Sequence, residues 1–85
     1  MIFYFQPKTE AYKSWEQIKV GDRVLYKSIA DEPATVRDVM ESMAAIEFDK
    51  PTPRITGTPH DCLGKVPSGN GYFVIILALI EKIIE

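Results

Sequence analysis

The chain has 85 residues, of which 46% are hydrophobic and 26% are charged. This length accommodates one domain with one modest core, and the apolar fraction lies well above the range of disordered chains. Ten basic and twelve acidic residues give a net charge of −2, which argues against a general nucleic-acid binder because such proteins neutralise phosphates with lysine and arginine. A single cysteine cannot form an internal disulfide, which favours a reducing compartment.

Neither end of the chain has the pattern of a targeting or membrane segment. The first residues, MIFYFQPKTE, have no basic start, and their apolar stretch is too short for a signal peptide. The longest apolar run, YFVIILALI at residues 72–80, is about half as long as a bilayer-spanning helix requires. We therefore predict a cytoplasmic protein that does not bind a membrane.

The N-terminal part predicts one short strand and one helical turn. The apolar, largely aromatic residues at Ile2–Phe5 are typical of a strand, and the proline that soon follows closes it because proline lacks an amide donor. Residues 1–13 are interpreted as this strand and its extension. Ser14 and Gln17 have the spacing of a capping box, which predicts a helical turn through about Ile18.

The next segment, DRVLYKS at residues 22–28, predicts a half-buried strand. Val24 and Tyr26 share one face, because successive side chains of a strand point to opposite sides. The other face carries Arg23, Leu25 and Lys27.

Two further segments predict a hairpin. ATVRDVM at residues 34–40 alternates again, with Val36 and Asp38 on one face and Val39 on the other. MAAIEFD at residues 43–49 follows after a tight join, so the two segments should pair as antiparallel strands.

The amino-acid composition changes at residues 50–71, where four prolines and four glycines make regular secondary structure unfavourable. A loop of this length in a compact domain is commonly functional or packed on itself. Residues 72–75, YFVI, return as a strand. The ending, LALIEKIIE at residues 77–85, fits either helical spacing or a last strand. We favour a short turn at residues 76–78 followed by a strand.

These elements predict a mostly β fold with about five strands, one short helical turn and one long Gly/Pro-rich loop, in a single domain of residues 1–85. Short strands with one tight hairpin and one long loop are typical of an SH3-like small β-barrel. We expect the N-terminal strand to pack beside the C-terminal segment.

Particular words of the sequence strengthen this interpretation. VGDRVLY, ATVRDV, AAIEFDKP and GYFV resemble the core of the CAP-Gly domain. EFDKP at residues 47–51 and HDCLGKVPSGNGYFV at residues 60–74 resemble more closely a group of small bacterial and phage proteins. Their pattern is EFDEP followed by HDCxGKCxxGHGWWV. The resemblance extends from Trp15 to Ile83 and implies an SH3-like barrel.

Three departures from that pattern limit what the resemblance implies. The second cysteine of the pattern is Val66 here, the histidine of GHG is Asn70, and the paired tryptophans are Tyr72 and Phe73. Aromatic residues keep the packing, but a metal or disulfide role shared with the pattern is lost. The GKNDG motif by which CAP-Gly domains grip acidic tails is also missing, so microtubule-type tail binding is not carried over.

His60 and Cys62 are the only histidine and cysteine of the chain, and we predict that they do no chemistry. A zinc site normally takes four ligands, and a Cys–His nucleophile needs an orienting group and an oxyanion donor. Asp61 and Asp49 could contribute carboxylates to a metal site, but the chain has no second histidine or cysteine, and no oxyanion donor can be identified beside the pair. Cys62 is interpreted as a packing residue, and Gly64, Gly69 and Gly71 as turn residues rather than a phosphate cradle. We predict no enzyme activity, no cofactor and no metal.

Exposed apolar residues give the better clue to function. The run at residues 75–77, together with Ile2–Phe5, is more apolar surface than so small a barrel can hide. We therefore predict a non-enzymatic protein-binding module, with a phage or mobile-element protein acting on a host protein as the working hypothesis. The protein partner is a host protein or a second copy in a homodimer. The predicted binding surface comprises Tyr26, Lys50, Arg54, His60, Lys65, Asn70, Tyr72 and Ile76.

The alternative is a nucleic-acid-binding small β-barrel. Basic residues could gather beside Tyr26 and Tyr72, where aromatic faces within a basic rim would stack on bases. The basic residues in question are Arg23, Lys27, Arg37, Lys50, Arg54 and Lys65.

Overall fold

The computed structural model of the chain describes residues 8–27, 32–50, 64–66 and 69–84. These residues form a mostly β fold, with one six-stranded antiparallel sheet and two 3-10 helical turns. They contain no helix that is long and apolar enough to cross a membrane. The elements in chain order are β1 (Thr9–Ala11), η1 (Trp15–Gln17), β2 (Arg23–Tyr26), β3 (Glu32–Met40), β4 (Met43–Phe48), β5 (Gly71–Val74), η2 (Leu77–Leu79) and β6 (Ile80–Ile83).

The strands lie in the order β1-β6-β2-β3-β4-β5. Strands β2 to β5 therefore follow one another across the sheet as they do along the chain, and β6 returns to lie between β1 and β2. Within the described residues the sheet is open, with β1 and β5 at its two edges. The predicted β-rich class is thus confirmed.

Two of the predicted connections are confirmed. Strands β3 and β4 form the expected hairpin, with Met40 opposite Met43 across the turn. The C-terminal segment is a 3-10 turn followed by a strand, and the helical alternative for residues 77–85 is wrong. The predicted strand at residues 2–5 lies outside the described residues.

Strand β1 was not predicted, because three residues without apolar alternation carry no strand signal. Strand β1 forms because it pairs with β6, with Thr9 opposite Ile83 and Ala11 opposite Glu81. The Thr9 hydroxyl adds a bond by donating to Glu81 Oε1 at 2.6 Å. Tertiary pairing has thus determined the local conformation here.

The predicted helical turn is present, but its cap differs from the prediction. Ser14 has the extended backbone of an N-cap residue and makes no side-chain capping bond. The Gln17 side chain reaches back beyond Ser14 and accepts a hydrogen bond from the Lys13 backbone amide at 2.7 Å. The turn ends at Ile18, which is buried in the core.

The core lies on one face of the sheet and is centred on β4. Ile46 is fully buried between Val36 of β3 and Tyr72 of β5, its directly opposed neighbours. An aromatic group covers one end of this face, with the rings of Tyr26 and Phe48 edge to face at 5.6 Å between centroids. The other buried members of this core are Ile18, Val24, Ala34, Ala44, Val74 and Ile80.

A β-bulge in β3 overturns part of the predicted alternation. The register with β4 shifts between Val36 and Asp38, so Arg37 is the extra residue. Beyond the bulge the side chains exchange faces, and Val39 packs against the core opposite Ala44. The assignment of Asp38 to the face of Val36 was therefore wrong, because alternation assumes an uninterrupted strand.

Candidate functional site

Tyr26 is not a surface residue, contrary to the predicted binding surface. Its side chain is only 3% exposed and belongs to the core. It shares the core face of β2 with Val24, and its ring contacts that of Tyr72 at 5.5 Å between centroids. Tyr72 is half-buried, so the pair is a packing contact rather than an exposed stacking platform.

The other predicted surface residues do not form one patch. Lys50 and Lys65 are exposed, and Asn70 is half-buried at the start of β5, where its carbonyl accepts a bond from the Phe48 amide. Ile76 lies beyond the opposite end of β5, about 20 Å along an extended chain from Asn70. The remaining two predicted residues, Arg54 and His60, lie outside the described residues.

Among the described residues, the most apolar exposed surface lies directly after β5. Ile75 is 67% exposed and Ile76 is 55% exposed, while Leu77 packs partly against the core. Residues 71–80 contain no charged side chain. The expectation of exposed apolar surface in this segment is therefore confirmed for the two isoleucines. Val20 has a similar exposure of 63% but lies in a separate turn before β2.

The backbone of β5 shows which of its groups face outward. The Phe48 amide donates to the carbonyl of Asn70, its directly opposed residue, at 3.0 Å. Bonded and non-bonded pairs alternate along an antiparallel ladder. Tyr72 and Val74 therefore point their amide and carbonyl groups at β4, whereas those of Phe73 point away from it. No second described strand pairs with β5.

A second, smaller cluster lies on the sheet face opposite the core. Val66 is 1% exposed and packs with Ala45 of β4, and the half-buried ring of Phe73 completes the group. Ala45 and Phe73 are directly opposed across the β4–β5 ladder. The residue that replaces a cysteine of the resembled pattern is thus an apolar anchor that holds its segment to the sheet.

Glycines flank this anchor and allow its segment to turn. Gly64 has φ = 81° and Gly69 has φ = 77°, in the left-handed region that L-residues rarely adopt. The interpretation of these two glycines as turn residues is confirmed. Gly71 differs, because it is the first residue of β5.

Three of the basic residues considered for a nucleic-acid platform are paired with carboxylates. Each pair lies across neighbouring strands or just beyond a strand end, so the positive charges are neutralised locally. This arrangement argues against a basic rim for binding nucleic acid. If the protein were retained on DNA or RNA in a salt-dependent way, the nucleic-acid-binding alternative would be restored. The pairs are Arg23 Nη2–Asp49 Oδ2 at 2.6 Å, Arg37 Nε–Glu47 Oε1 at 2.7 Å and Lys27 Nζ–Glu81 Oε1 at 3.6 Å.

The Arg23–Asp49 pair predicts a small loss of stability in acid. Hydrogen bonds from Arg23 lower the pKa of the Asp49 carboxyl, and the nearby positive charges of Arg23 and Lys50 act in the same direction. A pKa that is lower in the folded state contributes stability above the ordinary carboxyl pKa and loses it as pH falls through the folded pKa. The contribution should stay below about 1 kcal/mol because both side chains are exposed.

The contribution of the ion pair to this loss of stability can be isolated with Asp49→Asn. Urea unfolding of the variant and of the wild type is measured at neutral pH and at pH values below the ordinary pKa of a carboxyl group. The variant should start less stable at neutral pH and lose less than the wild type on acidification. Equal pH dependence of the two proteins would contradict the role given to the pair. Glu16→Gln, an exposed carboxylate in η1, is the matched control and should follow the wild type.

A shallow cleft of about 190 Å³ lies beside β1 and β6 and was not predicted. The Tyr12 hydroxyl at its wall donates to Asp22 Oδ2 at 2.7 Å. Burial raises the pKa of Tyr12, and the hydrogen bond to Asp22 raises it further. This tyrosine therefore stays protonated and serves as a structural donor. The lining residues are Glu10, Ala11, Tyr12, Gln17, Lys82 and Ile84.

His60 and Cys62 lie outside the described residues, so the predictions about them stay predictions. In the part of the chain that the structure describes, no group of three or more His, Cys, Asp and Glu side chains could hold a metal ion. Comparisons with protein-family models, curated proteins and solved structures find no match to this chain. In the described part of the surface, the Ile75–Ile76 pair is the most exposed group of adjacent large apolar side chains.

Proposed function

We propose that this chain is a non-enzymatic protein-binding module with the architecture of an SH3-like small β-barrel. The strand order supports the barrel, since β2 to β5 form a meander and a 3-10 turn precedes a last strand that returns beside β2. Small barrels commonly bind partners with loops and strand edges held by a rigid scaffold. A phage or mobile-element protein that binds a host protein remains the working hypothesis for its biological setting.

The observation that carries this proposal is the exposed pair Ile75–Ile76. Isolated exposed apolar residues are ordinary on protein surfaces, but adjacent isoleucines in an uncharged run, beside a strand edge that no other described strand pairs with, are not. Burying such side chains against a partner is favourable at about 25 cal/mol per Å² of apolar area. We define Ile75, Ile76 and the outward edge of β5 as the β5 surface.

A charge placed in the β5 surface should abolish partner binding. In affinity capture with the tagged chain as bait, Ile76→Asp should lose the proteins that the wild type retains, because a carboxylate would be desolvated in the contact. Val20→Asp is the matched control, since Val20 is similarly exposed on another element. It should retain the same proteins as the wild type.

Thermal unfolding of both variants shows that lost binding is not lost folding. Each substitution lies at an exposed side chain and should change stability by less than about 0.5 kcal/mol. The proposal fails if Ile76→Asp retains every partner of the wild type, or if Val20→Asp loses the same partners. The first result would place the contact elsewhere, and the second would make it a nonspecific apolar effect.

A further inference from the structure

We propose that the partner of the β5 surface is a second copy of this chain, paired through antiparallel contact of β5 with β5 of the other copy. This inference rests on the proposed function, because it names the partner of the same surface. Edge strands present unpaired amide and carbonyl groups that readily accept another strand. A two-fold axis at Val74 would place Phe73 of each copy opposite Ile75 of the other.

The backbone of β5 fits this pairing. Tyr72 and Val74 direct their amide and carbonyl groups to β4, and Phe73 directs its groups outward, as the Phe48–Asn70 bond establishes. The chain stays extended at Ile76, with φ = −119° and ψ = 110°, before it turns into η2. Outward groups at Phe73 and Ile75 are two residues apart, which is the spacing that a second antiparallel strand can bond.

The side chains of this edge are complementary to themselves. Phe73 is half-buried at the rim of the small cluster with Ala45 and Val66, so this residue is still partly exposed to solvent. Ile75, two residues further along the same strand edge, is mostly exposed and has no comparable cover among the described residues. Two-fold pairing would lay Ile75 of one copy on Phe73 of the other, twice. Each copy supplies both the projecting side chain and the surface that receives it.

The charges of the two sheet edges favour a second copy at β5. Residues 71–80 carry no charge, so two copies of β5 meet without like-charge repulsion. The opposite edge, β1, has Glu10 at its centre and is preceded by the exposed Lys8. Charged side chains of this kind prevent strands from pairing at an edge. Self-association is therefore inferred at β5 and not at β1.

Sedimentation equilibrium of the full chain, from micromolar to millimolar concentration, tests this inference. The wild type should behave as a concentration-dependent dimer. Ile75→Lys and Ile75→Glu should each weaken self-association at least about tenfold. Each substitution buries a charge against Phe73 of the second copy, and it places that charge diagonally across from the same charge at position 75 of the second copy, so the two repel. An equimolar mixture of the two variants should recover a dimer, since lysine and glutamate then attract. Val20→Lys should dimerise as the wild type does.

Hydrogen exchange of the wild type gives a second measurement that needs no variant. The Phe73 and Ile75 amides should be protected at high concentration and exchange freely on dilution. A monomeric wild type, a charged variant that still dimerises, or a mixture that stays monomeric would each overturn the inference. If the wild type is a monomer and Ile76→Asp still loses the proteins that the wild type captures, self-pairing is overturned but the proposed function is not. A dimer that is insensitive to both Ile75 and Ile76 would overturn the proposed function as well.

Discussion

Ile46→Ala is expected to lower the free energy of unfolding by about 2–5 kcal/mol, the usual cost of truncating a buried isoleucine. Ile46 lies on β4, which has β3 on one side and β5 on the other, and none of its side chain is exposed. A strand that is hydrogen-bonded to neighbours on both sides cannot shift easily to fill the cavity that the truncation leaves. The cost should therefore lie in the upper part of this range.

The magnitude matters because domains of this kind have a total stability of only about 5–15 kcal/mol. Urea unfolding followed by tryptophan fluorescence reports the change, since Trp15 packs against the same core. Val20→Ala removes apolar atoms from an exposed side chain and should change stability by less than about 0.5 kcal/mol. An Ile46→Ala loss below about 1 kcal/mol would show that β4 is not the centre of the core.

The parts of the fold that sequence reasoning predicted well are those fixed by local pattern. The hairpin follows from two alternating segments around a short polar join, and the last strand follows from a turn after β5. The positions of Gly64 and Gly69 follow from backbone conformations that other residues avoid. Each of these features can be read from a few neighbouring residues.

The parts that were missed depend on tertiary contacts. Strand β1 exists because β6 pairs with it, and Val66 is an anchor only because Ala45 and Phe73 lie beneath its segment. The bulge at Arg37 moves Val39 to the core, although nothing in a regular alternation marks where a strand takes up an extra residue. These features become visible only when the register of the sheet is known.

The candidate surface was partly within reach of the sequence. The alternation that predicts the strand puts Tyr26 on the face of Val24, and this shared face also indicates its burial. The same alternation puts Leu25 on the opposite face with charged neighbours, yet Leu25 is also buried. The exposure of Ile75 and Ile76 was anticipated, but the outward orientation of the Phe73 backbone required the bonding pattern of β4 and β5.

Val66→Asp is expected to destabilise the domain by about 2–3 kcal/mol. The structure can respond to the buried carboxylate in two ways, and the less costly of them sets the maximum loss of stability. If the segment stays in place, a carboxylate is desolvated against Ala45 and Phe73 without a cation among its cluster neighbours. If the segment leaves the sheet, the domain loses the burial of one valine and exposes the ring beneath it. The second route limits the cost, because the segment can detach before a larger penalty accumulates.

Val66→Cys is the matched control, since cysteine occupies this position in the resembled pattern and behaves as a small apolar residue when buried. It should cost less than about 1 kcal/mol, because it preserves most of the buried apolar contact. Urea unfolding measures both variants, and hydrogen exchange at the Gly69 and Val74 amides separates the two routes. Detachment of the segment should speed exchange at the Gly69 amide, which donates to the Val66 carbonyl, and leave Val74, bonded to β4, protected. If Val66→Asp unfolds with the wild type, the segment is not anchored by this side chain, and the second cluster is a passive contact.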